Sequence, residues 1–369
     1  MTIEFIGYNL KLARLFHGLS LQELGERIGR SKQFLSRLES GVERPSPSLE
    51  EALAETLVVL PEFFHEVDPM PIADEQCHFR KQLTTKVALR QVARARGEMI
   101  KRLVSVLDNE LDLPAYKFME TEPSSAEVIE QAAERCRVDW GLGFGPISNV
   151  TRVAENAGAV VLRVHGLADE IDAISFATRR PVITLNAEGK SACRARFGLA
   201  HEIGHLSLHI GVQTGDRLTE TQANRFASAF LMPRAFFVSE CQGAIRGTRL
   251  NWPALAAIKR RWGVSKAAIL YRGRQLGVFS EEQYKSGVIN LNRHGEALRE
   301  AEDDDIPVEQ PEIVMDSLRV LEQQCGKPRA VIARLMKVQP DIVTTLLEAT
   351  PQSQSTNVVS LFAKAPPIN

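Results

Sequence analysis

One stretch restricts this chain more than any other. Phe197-Gly-Leu-Ala-His201-Glu202-Ile-Gly-His205 sets an H-E-x-x-H pattern inside an apolar run compatible with a helix. Helix residues four apart share one face, about one turn from each other, so both imidazoles can reach a single metal ion. Glu202 adjoins the first of them and can hold a metal-bound water. Ile203, Leu206, Leu208 and Ile210 make the run apolar enough to be buried. Buried His and Glu side chains need partners, and one ion would satisfy them together. The pattern points to zinc-dependent hydrolysis.

A catalytic zinc site keeps three protein ligands and one open position. His209 stands at i+8 from His201, and eight residues of helix rise about 12 Å, against Zn–N bonds of about 2 Å. One ion cannot bind both on a straight helix. Gly211 occupies the place where a metzincin has its third His. Glu220 is the better candidate. It opens Glu220-Thr-Gln-Ala223-Asn224-Arg225-Phe226-Ala227, and Glu220, Ala223, Asn224 and Ala227 fall on one helical face. Small residues there let this helix approach the His201–His205 helix, with the carboxylate at the head of the face. Asp216, in an expected loop, is the reserve ligand.

Taken together, Arg196-Phe197-x-Leu-Ala-His-Glu-Ile-Gly-His, Glu220-x-x-Ala-Asn-x-Phe-Ala and Leu231-Met232-Pro233 resemble the ImmA/IrrE family of metallo-endopeptidases. The resemblance extends upstream through Trp140-Gly-Leu-Gly-x-Gly-Pro, Asp172-Ala-Ile-Ser and Ile183-Thr-Leu-Asn186, and downstream through Trp262-Gly-Val-Ser and Leu270-Tyr-Arg-x-x-x-Leu-Gly. It covers roughly residues 124–285. It implies an α+β zincin-like domain in which His201, His205 and Glu220 bind one Zn2+ and Glu202 is the general base. It also implies a protein substrate, since such peptidases usually cleave or control a repressor. A second electrophile for the oxyanion is not identified by sequence; Tyr271 and Arg196 are candidates with structural alternatives. Ala159-Val-Val-Leu-Arg-Val and Pro181-Val-Ile-Thr-Leu-Asn186 read as buried strands. If the second lies at a sheet edge, an extended peptide could add to it.

The N-terminus carries an independent signal. Ser20-Leu-Gln-Glu23 is a capping box opening a helix with Leu21, Leu24 and Ile28 inward. Gly29 ends that helix, and Ser31 caps the next, Lys32 to about Glu39. Phe34, Leu35 and Leu38 face its core, while Lys32, Gln33, Ser36 and Arg37 point outward, as residue types that reach base edges and phosphates. Gly18-Leu-Ser-Leu-Gln-Glu-Leu-Gly, Ile28-Gly-x-Ser31, Leu35-Ser-Arg-Leu-Glu39-Ser-Gly41 and Arg44-Pro45 resemble the XRE (Cro-like) helix-turn-helix family. The resemblance implies double-stranded operator DNA as a partner, with Ser31, Lys32, Gln33, Ser36, Arg37 and Arg44 at the interface. Residues 1–64 hold seven Lys/Arg against nine Asp/Glu, so there is no overall basic field. A single module binds weakly, so a homodimer on a two-fold operator is expected.

The 369 residues suggest two or three domains. The expected architecture is multidomain and mostly α with a small β-sheet. It comprises a helix-turn-helix bundle (1–66), a basic helical connector (67–123), the α+β metallopeptidase domain (124–285), an acidic linker (286–311), a small helical region (312–350) and a disordered tail (351–369). The connector takes its character from Arg80, Lys81, Lys86, Arg90, Arg94, Arg96, Lys101 and Arg102 against one acid, Glu98, over residues 78–102. Residues 312–350 read as a helical bundle or a dimerisation element. No internal repeat is evident. Five scattered Cys without a C-x-x-C pair read as reduced thiols. Met1-Thr-Ile-Glu-Phe lacks a basic signal start, and no apolar run approaches the roughly 18 residues of a spanning helix. A cytoplasmic protein without membrane contact is expected. The readings together give a transcriptional regulator with a zinc endopeptidase that cuts a repressor or an antitoxin-like partner. The alternatives are a non-enzymatic regulator whose peptidase-like domain senses a ligand or partner, and a component of a toxin–antitoxin module.

Overall fold

The computed structural model describes residues 4–68, 71–72, 77–79, 87–165, 173–176, 178–188, 190–348 and 362–363. The helices in chain order are α1 (Gly7–Phe16), α2 (Leu21–Ile28), α3 (Lys32–Glu39), α4 (Pro47–Thr56), α5 (Val87–Glu110), α6 (Ala126–Asp139), α7 (Val150–Asn156), α8 (Ala192–Leu208), α9 (Arg217–Leu231), α10 (Arg234–Gln242), α11 (Trp252–Trp262), α12 (Lys266–Gln275), α13 (Glu281–Arg293), α14 (Ile313–Cys325), α15 (Arg329–Leu335) and α16 (Pro340–Leu347). The strands are β1 (Cys77–Phe79), β2 (Leu111–Asp112), β3 (Val160–Val164), β4 (Ala173–Phe176), β5 (Val182–Asn186), β6 (Ile245–Arg246), β7 (Arg249–Leu250) and β8 (Phe362–Ala363). The protein is thus mostly α with a small sheet. Among the described residues, no helix is long and apolar enough to cross a membrane.

The chain divides into two compact units. The first comprises Met1–Cys77, Thr84–Leu113 and Glu312–Asn369; the second comprises His78–Leu83 and Pro114–Pro311.

In the first unit α1–α4 form the helix-turn-helix bundle. Ser20 accepts from Glu23 N while the Glu23 carboxylate accepts from Ser20 N, so the expected capping box is present. Gly29 (φ 66°) ends α2 in the left-handed region, and Ser31 caps α3. A Cβ on Gly25 would collide with the Arg30 carbonyl, so the turn requires glycine there. Leu24, Leu35 and Leu38 are fully buried, whereas Leu21, Ile28 and Phe34 are only half-buried. Their rows lie at the margin of the small bundle's core.

The helix of the expected basic connector, α5, belongs to this unit, while residues 78–83 and 114–123 of that span belong to the second. Ala93, Met99, Ile100, Leu103 and Leu107 are buried on one side of α5, and α5 packs on α1, α14 and α15. Lys101 and Arg102 are paired inside the unit. Lys101 bonds Asp68 at 2.5 Å and Glu98 at 2.8 Å, and Arg102 bonds Glu66 at 2.5 Å while its guanidinium lies 4.4 Å over the Phe63 ring. Arg80, Lys81 and Lys86 lie outside the described residues, as does the expected tail 351–369 apart from Phe362–Ala363.

In the second unit the sheet order is β1-β4-β5-β3. β5 pairs in parallel with β3 (Val160↔Val182 to Val164↔Asn186) and antiparallel with β4 (Ala173↔Leu185 to Phe176↔Val182). The two expected strands are β3 and β5, but β5 is an inner strand and offers no free edge for a peptide. Helix α8 lies on β4 and β5, and α9 packs along α8. The two approach closely at Gly204, where a Cβ would stand 3.2 Å from Phe226 Cβ and from the Ala223 carbonyl.

The acidic stretch expected as a linker is instead docked within this unit. Lys259 Nζ, fully buried, bonds Glu300 at 2.7 Å and Asp303 at 2.5 Å. Lys266 pairs with Glu296 and Glu302. Glu309 pairs with Arg196 and accepts from Val150 N and Thr151 N at the start of α7. Glu302, Asp303 and Glu309, which look solvated in sequence, find buried cations far along the chain, whereas Asp304 and Asp305 pair with exposed arginines.

Candidate metal centre and DNA-reading surface

Ser191 accepts from Arg194 N and starts α8, which carries His201, Glu202 and His205 on its buried length. Asp216 caps α9, accepting from Leu218 N at 2.6 Å and Thr219 N at 3.0 Å. The reserve ligand is therefore spent on the helix start, and Glu220 falls in the first turn behind it. The two helices bring His201 Nε2 and His205 Nε2 to 3.0 Å, His201 Nε2 and Glu220 Oε2 to 3.5 Å, and His205 Nε2 and Glu220 Oε1 to 3.3 Å. A four-coordinate zinc with bonds of about 2.1 Å separates its ligand atoms by about 3.4 Å, and the three side chains bring their donor atoms near that spacing. Among the described residues, this is the group of His, Cys, Asp and Glu side chains placed to hold a metal ion. Glu220 Oε1 is buried and makes no hydrogen bond, which is the expected condition of a carboxylate oxygen awaiting a cation.

The remaining nitrogens set the tautomers. His201 Nδ1 lies 3.0 Å from Asn224 Oδ1, which can only accept, so Nδ1 carries the proton and Nε2 keeps its lone pair for a metal. His205 Nδ1 lies 3.0 Å from His209 Nδ1, and His209 Nε2 lies 2.9 Å from Gln222 Oε1. Gln222 Nε2 in turn donates to the Pro123 carbonyl at 3.1 Å. With that end fixed, Gln222 Oε1 accepts from His209 Nε2–H and His209 Nδ1 accepts from His205 Nδ1–H. Every member of the chain is satisfied only when the His205 Nε2 lone pair faces Glu220. Burial, followed by the proximity of His201 and His209, pushes His205 well below the usual imidazole range. Burial also lowers His209. Both rings are therefore neutral at pH 7, as ligation by His205 requires.

Glu202 is almost fully buried beside the first imidazole, and Ser175 Oγ from β4 donates to its Oε2 at 2.6 Å. One carboxylate oxygen is thereby fixed by the sheet. Arg196, considered above for the oxyanion, is engaged elsewhere: it donates to the Gly263 carbonyl at 3.0 Å and the Ile147 carbonyl at 2.7 Å, and pairs with Glu309. Tyr271 lines a cavity of about 430 Å3 together with Phe197, Asn224, Ser228, Ala268 and Leu298. Asn224 thus joins the cavity to the His201 ring, and Ser228 Oγ is buried without a hydrogen bond.

Sequence reasoning missed the supporting residues. Asn224 lies on Glu220's helical face at i+4, and His209 is i+4 from His205, so the spacing offered a signal for both. Ser175 comes from a distant strand and offered none.

In the first unit, Ser31, Lys32, Gln33, Ser36, Arg37 and Arg44 are all exposed. Arg37 pairs with Glu43 at 2.6 Å and Arg44 pairs with Glu4. Such surface pairs are worth about 0–1 kcal/mol and open readily to a phosphate.

These features define a class: a bundle of the DNA-reading kind joined in one chain to a metallopeptidase-like domain. Comparison with protein families agrees. Residues 6–62 match the profile of the helix-turn-helix domain, and residues 154–273 match that of the IrrE N-terminal-like domain. The chain thus carries a helix-turn-helix domain and an IrrE-like domain, in the order its sequence implies. No curated protein matches it.

Proposed function

We propose that the second unit is a zinc-dependent endopeptidase that cuts a regulatory protein, and that the first unit reads double-stranded operator DNA through α3. The observation that carries the reading is the convergence of His201, His205 and Glu220 beside a fixed Glu202. His201, His205 and Glu220 would hold the ion, which supplies Lewis-acid polarisation of the scissile carbonyl and of water. Glu202 takes the proton from the attacking water and passes it to the leaving amine. Ser175 keeps the carboxylate turned toward that water. Asn224 and His209 keep the two imidazoles in the liganding tautomer. The cavity beside Asn224 takes a substrate side chain against Phe197, Ala268 and Tyr271.

The substrate class is a repressor or an antitoxin-like partner, whose loss would change transcription at the operator the first unit binds. The test incubates the purified chain with candidate repressors encoded beside it. Cleavage is expected with zinc and lost with chelator. Glu202→Gln should retain zinc but not cleave; a Glu202→Gln protein that still cleaves would refute the assigned base.

A further inference from the structure

Among the described residues, two other than glycine have a left-handed backbone: Val58 (φ 56°) and Lys337 (φ 60°). A β-branched residue is a rare occupant of that region, and both positions end a helix in the same way. Val58 N donates to Glu55 O at 3.2 Å and Val59 N to Ala54 O at 3.0 Å; Lys337 N donates to Arg334 O at 3.0 Å and Val338 N to Ala333 O at 2.9 Å. Each pair of bonds is the five-to-two and six-to-one closure of a Schellman turn. Each turn is followed by a bridging valine and then a proline that starts the next helical segment: Val59-Leu60-Pro61 and Val338-Gln339-Pro340.

Burial repeats in the same register. Leu53 and Ile332, Ala54 and Ala333, Leu57 and Met336, Val59 and Val338, Phe63 and Ile342, and Phe64 and Val343 are all buried. The identities have diverged, but the apolar pattern, the strained turn and its hydrogen bonds have not. Residues 50–64 and 329–343 are therefore two copies of one segment, a helix closed by this turn and followed by a Pro-initiated 3-10 turn in the first copy and an α-helix in the second, a repeat that the sequence alone did not show.

The two copies face each other within the first unit. Val59 and Val338 form an antiparallel bridge. Leu60 N donates to Lys337 O at 2.9 Å, and Gln339 N donates to Val58 O at 3.0 Å. Each copy gives the corresponding N–H and accepts on the corresponding carbonyl. Any antiparallel bridge exchanges bonds reciprocally; here the paired residues are also equivalent positions of the two copies, the relation that two identical chains have about a two-fold axis.

We propose that Val58–Leu60 is a homotypic docking edge, built to pair with a second copy of itself, and that the repeat 328–343 occupies it in cis in place of a second chain. The exposed main-chain groups of such an edge invite pairing, and here the chain's own C-terminal segment satisfies them. An intact chain does not self-associate through this edge, so a dimer of intact chains needs another surface. Displacing the repeat bares Val59 and lets two chains pair through it. Nothing in this proposal depends on the metal centre.

Sedimentation velocity of the full-length protein tests it. Val338→Asp puts a charge at the buried bridge. Gln339→Pro is a gentler release: its φ of −83° suits proline, and only the N–H that bonds Val58 O is removed. Either variant is expected to double the wild-type mass in a concentration-dependent way, with faster hydrogen exchange at the Leu60 amide. Adding Val59→Asp should return it to the wild-type mass. If Val338→Asp precipitates, Gln339→Pro with and without Val59→Asp carries the comparison. Unchanged mass in Gln339→Pro overturns the proposal whether or not the Leu60 amide has opened, because then either the bare edge does not pair or the ladder is not what holds the repeat. A doubled mass that survives Val59→Asp overturns it as well.

Discussion

Replacing His209 with leucine probes the metal centre without touching a proposed ligand. In the native site His209 Nδ1 accepts from His205 Nδ1–H at 3.0 Å, and both rings are buried. Leucine keeps most of the bulk and removes the acceptor. His205 then has two choices. It can leave Nδ1–H unsatisfied, at a cost of about 1–3 kcal/mol for a buried donor. Or it can move the proton to Nε2 and lose the lone pair that faces Glu220. Either way metal affinity falls, by about 5- to 150-fold if the whole cost appears in binding, in the range of about 10- to 100-fold seen for outer-shell partners of metal-bound histidines. The assay is a zinc titration against a chromophoric chelator, with circular dichroism showing that the metal-free variant is folded. His209→Asn, which restores an acceptor, should recover part of the loss. A folded His209→Leu protein that binds zinc as tightly as wild type would refute the tautomer argument.

Three other outcomes are expected. Lys259→Met strands Glu300 and Asp303 in a buried position and should lower stability by about 3–5 kcal/mol in urea unfolding; a change below about 0.5 kcal/mol would show that the acidic stretch is not held this way. Lys32→Ala with Arg37→Ala should weaken operator binding by tenfold or more in fluorescence anisotropy, since each side chain bonded to a base edge is worth about 1–3 kcal/mol; unchanged binding would move the recognition surface off α3. Burial pushes Cys136 up to about 11 and Cys193 and Cys241 up to about 12. Because the thiolate is the reactive form, these three should resist iodoacetamide in the native protein at pH 8 and react only on unfolding; labelling at the rate of a free thiol, read by mass spectrometry, would contradict their placement.

The parts that could be read in the sequence are those whose information is local and periodic. The His201–His205 turn, the capping box at Ser20, the Gly29 stop and the face shared by Glu220 and Asn224 all follow from helix geometry within a few residues. Other features depend on partners distant in the chain, and there the reading faltered. Glu300, Asp303 and Glu309 have the composition of a solvated linker, yet Lys259 and Arg196 bury them. The packing of α5 on α1, α14 and α15 likewise depends on distant elements, as do the pairs that Asp68 and Glu66 make with Lys101 and Arg102. Ser175 reaches Glu202 only because β4 lies against α8. The repeat around Val338 was hidden for a different reason: its conformation and burial are kept while the side chains are not.

The central claim is that one divalent ion sits between two imidazoles of α8 and the carboxylate at the head of α9. Crystals of the zinc-loaded protein, with anomalous differences collected at the zinc edge, test it most directly. One strong peak is expected about 2.0–2.2 Å from His201 Nε2, His205 Nε2 and a Glu220 oxygen. Density at that place without Glu220, or zinc bound only elsewhere, would contradict it.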